Sequence, residues 1–267
     1  MGAEKTIWFD EFPPRRWQDV FRYPFSRKSR RNLRINGTPT EKKIVYKLLV
    51  SATGVPAILL KNYKCGCSTL SQAVYFARTG RFFDGDIHHE NDVLRQYFKG
   101  FLINRDILSN RRMPSFTFTR HPETRVISAF QNILLDKKNG QSPVTLRAIA
   151  SHGFREDLPV AAKFEIFLDY VETSISRDAL LTDPHWRRQV DNIGLAFCRH
   201  DFIGRIERFR EDFSRVAELL ALDAKKRSAF SERYFNRSSE PGFQLTPAQK
   251  RRIREIYLPD FEAFSYD

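Results

Sequence analysis

The sequence predicts an α/β domain: a central parallel sheet flanked by helices. Three observations carry this. Two strand–loop–helix units follow one another, at residues 57–77 and 115–134. The chain is 41% hydrophobic with 24 Phe, enough to fill a sizeable core rather than stay disordered. Short apolar strands alternating with helices are the pattern of a parallel sheet covered on both faces.

Along the chain, the first fifty or so residues differ from the rest. "PPRRW" and "FSRKSRRNLRINGTPTEKK" are basic and rich in breakers, and only "KKIVYKLLVSA" reads as helix. Residues 1–54 are therefore expected to be a basic extension packing on a core that begins near Val55. The run Arg27 to Arg34 reads as a solvated loop, with a dedicated binding patch as the alternative.

In the first unit, "AILLK" is a short buried-type strand. "NYKCGCS" is a loop, and a helix is expected from Ser68 or Thr69, with Leu70, Ala73, Val74 and Ala77 on one face. In the second, "SFTFT" is a strand and "RHPE" a turn in which Pro122 can open a helix. Val126, Ile127, Phe130, Ile133 and Leu134 form its apolar stripe, leaving Arg125, Ser128 and Asn132 on the polar side. Farther on, "TPAQKRRIREIY" is a helix capped by Thr246 with Pro247 first. The aromatic stretch "YLPDFEAFSYD" reads as core.

Lys and Arg outnumber Asp and Glu by 45 to 32, a net charge of +13 that favours anionic partners without choosing among them. No window approaches the roughly 18–20 apolar residues of a membrane span. The start lacks the layout of a secretory signal, although Gly2 and Thr6 fit the loose myristoylation pattern. Cys65, Cys67 and Cys198 are the three cysteines, a usage that suggests a reducing compartment. Cytoplasmic localisation is expected, with the Golgi lumen applying only if an anchor was removed.

Both loops would lie at carboxyl ends of strands, where ligands bind in such sheets. In the first, Gly66 allows close backbone approach, the helix start offers N–H groups, Ser68 and Thr69 add hydroxyls and Lys64 adds charge. That is a phosphate cradle, or else a tight turn with Ser68 as N-cap. The glycines are too few for an ATP-binding P-loop, and C-x-C has no partner pair for zinc. In the second, Arg120 and Ser128 can meet one oxyanion. Two anion sites on adjacent units imply a ligand with phosphates at both ends.

Here the sequence resembles the carbohydrate sulfotransferases. "YKCGCSTL" is similar to their 5′-phosphosulfate loop, Pro-Lys-x-Gly-Cys-Thr-x-Trp. "TRHPETRVISAF" resembles their 3′-phosphate motif, Arg-[Asp/His/Asn]-Pro-x-x-Arg-x-x-Ser-Ala-Tyr. The likeness continues through "DPHWRRQ", "DFIGRIERFREDF" and "IYLPDFEAFSYD", covering about residues 55–267. It points to the branch holding the HNK-1 and chondroitin 4-O-sulfotransferases and bacterial members. Tyr63 and Leu70 stand where proline and tryptophan are usual, a departure that bears on the loop's shape and leaves its anion-binding parts intact.

The resemblance implies a fold like the P-loop nucleotide kinases and transfer of a sulfuryl group from 3′-phosphoadenosine 5′-phosphosulfate, releasing adenosine 3′,5′-bisphosphate, with no metal. It makes Lys64 a contact for the bridging and 5′-phosphate oxygens. Cys65, Gly66, Cys67, Ser68 and Thr69 would line the 5′ end, and Arg120 and Ser128 the 3′-phosphate, joined by Arg237 and Ser238 from a late loop. Such transfer is mostly positioning and electrostatics. An acceptor hydroxyl needs a base, for which His88 in "GDIHHE" is the first choice, His185 the second and Glu90 a weaker one. His89, His185 and Trp186 are assigned to the acceptor side. The acceptor is expected to be a glycan or other hydroxyl compound, with the basic balance hinting at an anionic one, and not nucleic acid. A kinase-like phosphotransferase and a non-catalytic basic module binding nucleic acid or anionic glycan are the alternatives.

Overall fold

Ile58 and Leu60 turn to one side of strand β2 (Ile58–Leu60) and Leu59 to the other, each into its own apolar cluster. A strand buried on both faces needs helices on both, and that requirement organises the molecule. The computed structural model describes residue 12 and residues 16–136, 143–234 and 244–267.

Strands β1 (Leu49–Ala52), β2, β3 (Leu94–Arg95), β4 (Ser115–Thr119) and β5 (Phe202–Arg205) form one sheet in the order β3-β1-β2-β4-β5. β2, β4 and β5 are mutually parallel, with Leu59 opposite Phe116 and Thr117 opposite Ile203. β1 pairs antiparallel with both β2 and β3. The sheet is thus parallel at its centre and mixed at one edge.

The helices in chain order are α1 (Trp17–Phe21), α2 (Arg27–Asn36), α3 (Thr40–Leu48), α4 (Cys67–Thr79), α5 (Tyr97–Ser109), α6 (Pro122–Phe130) and α7 (Pro143–Ala150). They continue as α8 (Val160–Asp178), α9 (Gln189–Asn192), α10 (Phe209–Leu219), α11 (Ala224–Tyr234), α12 (Pro247–Ile256) and α13 (Leu258–Phe264). On one face α4, α10 and α11 bury Leu70, Val74, Phe213, Val216 and Phe230 with Phe116 and Phe118. On the other, α3, α5, α6, α8, α12 and α13 enclose Val45, Phe101, Phe130, Phe164, Ile253 and Phe261. Gly204 lets the Phe118 ring lie against β5, because a Cβ there would sit 2.5 Å from that ring.

Local signals survive folding. Helix α6 opens at Pro122 with His121 as cap, and α12 carries a complete capping box between Thr246 and Gln249. Three expectations change. The run Arg27 to Arg34 is helix, not loop: Ser26 caps α2, which buries Ser29, Asn32 and Ile35. "VSA" leaves the helical stretch to form β1, whose four residues are all buried by pairing with β2. Arg125 does not face solvent but is 1% exposed, in the interior between α6 and the segment 184–187.

Candidate active site

Because β2 and β4 are parallel neighbours, the loops that leave them lie side by side at one end of the sheet. The first turns sharply. Lys64 and Gly66 both adopt left-handed backbone, at φ 64° and 72°, and α4 begins at once. A Cβ on Gly66 would approach Ile206 to 2.9 Å. Helix α4 has no side-chain cap. The N–H groups of Gly66, Cys67, Ser68 and Thr69 find no acceptor among the described residues, whereas Leu70 N–H already donates to Gly66. Four such donors on the positive end of a thirteen-residue helix are an arrangement whose chemistry suits an anion.

Cations surround it. The Lys64 ammonium has no partner among the described residues, and burial, with Arg120 and Arg125 nearby, pulls its pKa down to about 8. Arg120 bends toward the same notch, donating to the Lys64 carbonyl at 3.4 Å and to Thr124 Oγ1 at 3.1 Å. Ser128 is half-buried on α6, in the turns after Arg120.

Behind the notch stands Lys61, fully buried, with a pKa brought down to about 8 by desolvation. Its three N–H bonds go to Gln96 Oε1, to Tyr97 Oη at 3.2 Å and to His88 Nδ1 at 3.1 Å. His88 Nδ1 therefore accepts, Nε2 carries the proton, and Ser68 Oγ takes that proton's hydrogen bond at 2.9 Å. Burial and the Lys61 charge lower the His88 pKa to about 4. Tyr97 is held in left-handed backbone at φ 50° while its hydroxyl meets Tyr63 Oη at 3.2 Å.

The Tyr63 ring touches both imidazoles, stacked on His88 and edge-on to His185 with ring centres 4.5 Å apart. His185 is ordered differently. Its Nδ1 donates to Asp183 Oδ1 at 2.6 Å, leaving Nε2 without a partner among the described residues. Burial would raise the Asp183 carboxyl, but His185 beside it holds it below the ordinary value.

Two buried side chains clamp the loops together. Gln189 Oε1 accepts from Asn62, from the Cys65 thiol and from Arg120 N–H, and its amide donates back to the Arg120 carbonyl. Arg125 donates to the carbonyls of Tyr63, Pro184 and Arg187. Asp260 in turn accepts the N–H groups of Gln189 and Val190.

The alignment of this notch with a sequence family decides its kinship: residues 61–267 match the Sulfotransferase family. The chain belongs to that family. It is also 25% identical over 175 residues to carbohydrate sulfotransferase 12 of Mus musculus, a stretch covering 58% of this chain and 41% of that protein. The chain thus spans less than half of that relative's length. No solved structure matches it significantly.

Within this sulfotransferase-family domain the expected residues divide. Lys64, Gly66, Cys67, Ser68, Thr69, Arg120 and His88 converge on the notch, and His185 adjoins it across Tyr63. Cys65 does not: its N–H bonds Asn62, its thiol bonds Gln189, and burial pushes that thiol up to about 12. His89 points to solvent and pairs with Asp86 at 3.5 Å. Glu90 is buried and fully used, accepting from Asp92, Val93 and Leu94 N–H. Trp186 is 1% exposed, packed between Phe167 and Tyr170, and cannot reach an acceptor. Arg237 and Ser238 lie outside the described residues. Lys61, Tyr97, Asp183, Gln189 and Arg125 were not singled out from sequence as site residues. A lysine closing the apolar run "AILLK" was the one available signal for Lys61. A cavity of about 610 Å³, lined by Lys42, Tyr46, Arg112 and Arg199 among others, adjoins Ser115, at the sheet's opposite end. No described helix is long and apolar enough to cross a membrane.

Proposed function

We propose that the protein transfers a sulfuryl group from 3′-phosphoadenosine 5′-phosphosulfate to a hydroxyl of a carbohydrate or glycoconjugate acceptor. One observation carries the reading: four N–H groups and a Lys64 ammonium, all without partners among the described residues, share a notch with Arg120. Such a site suits a phosphate bearing more than one charge. The donor supplies a sulfuryl group whose bond to phosphate breaks as the bond to the acceptor oxygen forms. Lys64 and the N–H groups of residues 66–69 hold the 5′ end and meet the charge left on the phosphate. Arg120, with Ser128, grips the 3′-phosphate. The carbohydrate acceptor is taken from the name of the mouse relative and fits the basic surface.

For the base, hydrogen bonding favours His185 over His88. A base needs a free lone pair, and His88 has given its own to Lys61 while its Nε2 proton faces Ser68. His185 has Asp183 on Nδ1 and an open Nε2, the arrangement that orients an imidazole to take a proton. In this reading His185 removes the acceptor proton, and His88 donates a hydrogen bond beside Ser68.

Adenosine 3′,5′-bisphosphate at about a hundred times its Kd stabilises the fold by roughly 2.7 kcal/mol, a melting shift of several degrees. Adenosine 5′-monophosphate shifts it far less. Equal shifts would turn the reading to a nucleotide phosphotransferase, and no shift, with salt-steep binding of polyanions, to a non-catalytic basic module. With turnover in hand, His185→Asn lowers kcat by about 10²–10⁴-fold without weakening bisphosphate binding. The opposite ranking of His185→Asn and His88→Asn would make His88 the base.

A further inference from the structure

Helix α1 is built inside out. Its buried side chain is Asp19, which accepts a hydrogen bond from Asn32 of α2 at 3.4 Å. Its apolar face, Trp17, Val20 and Phe21 at three- and four-residue spacing, is 71%, 59% and 72% exposed. Trp17 and Phe21 pack edge-to-face on each other, and the turn that follows adds Phe25, 90% exposed, and Tyr23. Five large exposed apolar side chains within nine residues are the kind of surface that marks a contact. A groove of about 380 Å³, lined by Arg16, Trp17, Val20, Leu33, Asn36 and Gly37, opens beside it.

Charge names the partner. Residues 16–36 carry seven Lys and Arg, and Asp19 is the one acid among them. Arg16, Arg22, Arg27, Lys28 and Arg34 are exposed and make no ion pair among the described residues. A second copy of this chain would bring a surface of the same sign. A surface of anionic headgroups over an apolar layer answers both features at once: rings enter the acyl boundary while cations stay with the phosphates.

We propose that α1, the turn after it and the exposed side of α2 dock on an anionic lipid bilayer as a peripheral anchor. This anchor is separate from the notch at Lys64 and independent of what that notch transfers.

The test is co-sedimentation of the whole protein with vesicles of phosphatidylserine and phosphatidylcholine, against phosphatidylcholine alone. The protein is expected to pellet with the mixed vesicles and at least tenfold less with the neutral ones. R22E/R27E/K28E lowers that affinity by tenfold or more, each cation being worth about fivefold near such a surface. W17S/F21S/F25S does the same, and both variants keep a melting temperature close to that of the parent because every altered position is exposed. In the unaltered protein, bromine-labelled lipid quenches part of the tryptophan fluorescence. Trp17→Phe, which keeps an aromatic ring, removes that part. The proposal is overturned if the protein stays in solution with mixed vesicles, or if both triple variants pellet as the parent does. It is equally overturned if W17S/F21S/F25S converts a dimer to a monomer while no vesicle binding exists.

Discussion

The two strand–loop–helix units use the same chemistry to opposite ends. After β2, the groups are left open: among the described residues, four N–H donors have no acceptor and Lys64 has no counter-charge. After β4, nearly everything is spent. His121 caps its own helix, Glu207 takes the His121 N–H, Gln189 takes the Arg120 N–H, and Arg125 is sunk into three carbonyls. One loop is left open and the other braces it, with the Arg120 and Arg125 guanidinium groups both reaching across, to the Lys64 and Tyr63 carbonyls. A cation after a strand is therefore not itself a binding signal; a cation with no partner is.

The contrast breaks most visibly at Arg125. Arg125→Ala is expected to cost about 2–4 kcal/mol of stability, since the Arg187 carbonyl loses its partner and those of Tyr63 and Pro184 keep only shared ones. Urea unfolding measures this, and a loss below about 1 kcal/mol would show that the brace is dispensable. Lys64→Ala should behave in reverse. It relieves a crowded charge, leaving stability unchanged or slightly higher, yet weakens adenosine 3′,5′-bisphosphate binding by about 10–100-fold in calorimetric titration. Equal stability losses for the two variants would erase the distinction.

The smallest effect is in pH. The Lys64 pKa near 8 lies below its ordinary 10.5, so between those values the unfolded chain holds a proton that the native one has released. Stability from this group therefore rises with pH across that window, while affinity for an anion that needs the proton back falls, by at most about tenfold per pH unit. Lys64→Ala flattens the binding profile, and a wild-type profile already flat between pH 8 and 10 would place the anion elsewhere.

Much of this was legible where signals are local. The strand "SFTFT", the helix opened by Pro122 and the cap at Thr246 each depend on neighbours within four residues. The tight loop before α4 was readable for the same reason, since Gly66 and the hydroxyls after it lie together in sequence. What escaped depends on distant partners. β1 is a strand because β2 lies beside it, not because "LVSA" says so. α2 buries Ser29 and Asn32, a polar face invisible to apolar periodicity. Arg125 and Gln189 were hidden because their partners lie 59–127 residues away in sequence, most of them backbone groups that every residue owns. His88 reads as a base from the sequence, and its bond to Lys61, 27 residues upstream, is visible only in the fold.

Asp260 holds the N–H groups of Gln189 and Val190, and Tyr266 bonds Thr119 at the mouth of β4. The keystone of the notch is thus made long after the stones it locks. A nascent polypeptide emerging from the ribosome can assemble both crossovers yet cannot lock them until the stretch 257–266 is free of the exit tunnel. Closure of the notch is in that sense timed by translation, and a chain terminated before Tyr257 would carry Lys64, Arg120 and Gln189 without the contacts that hold them in place.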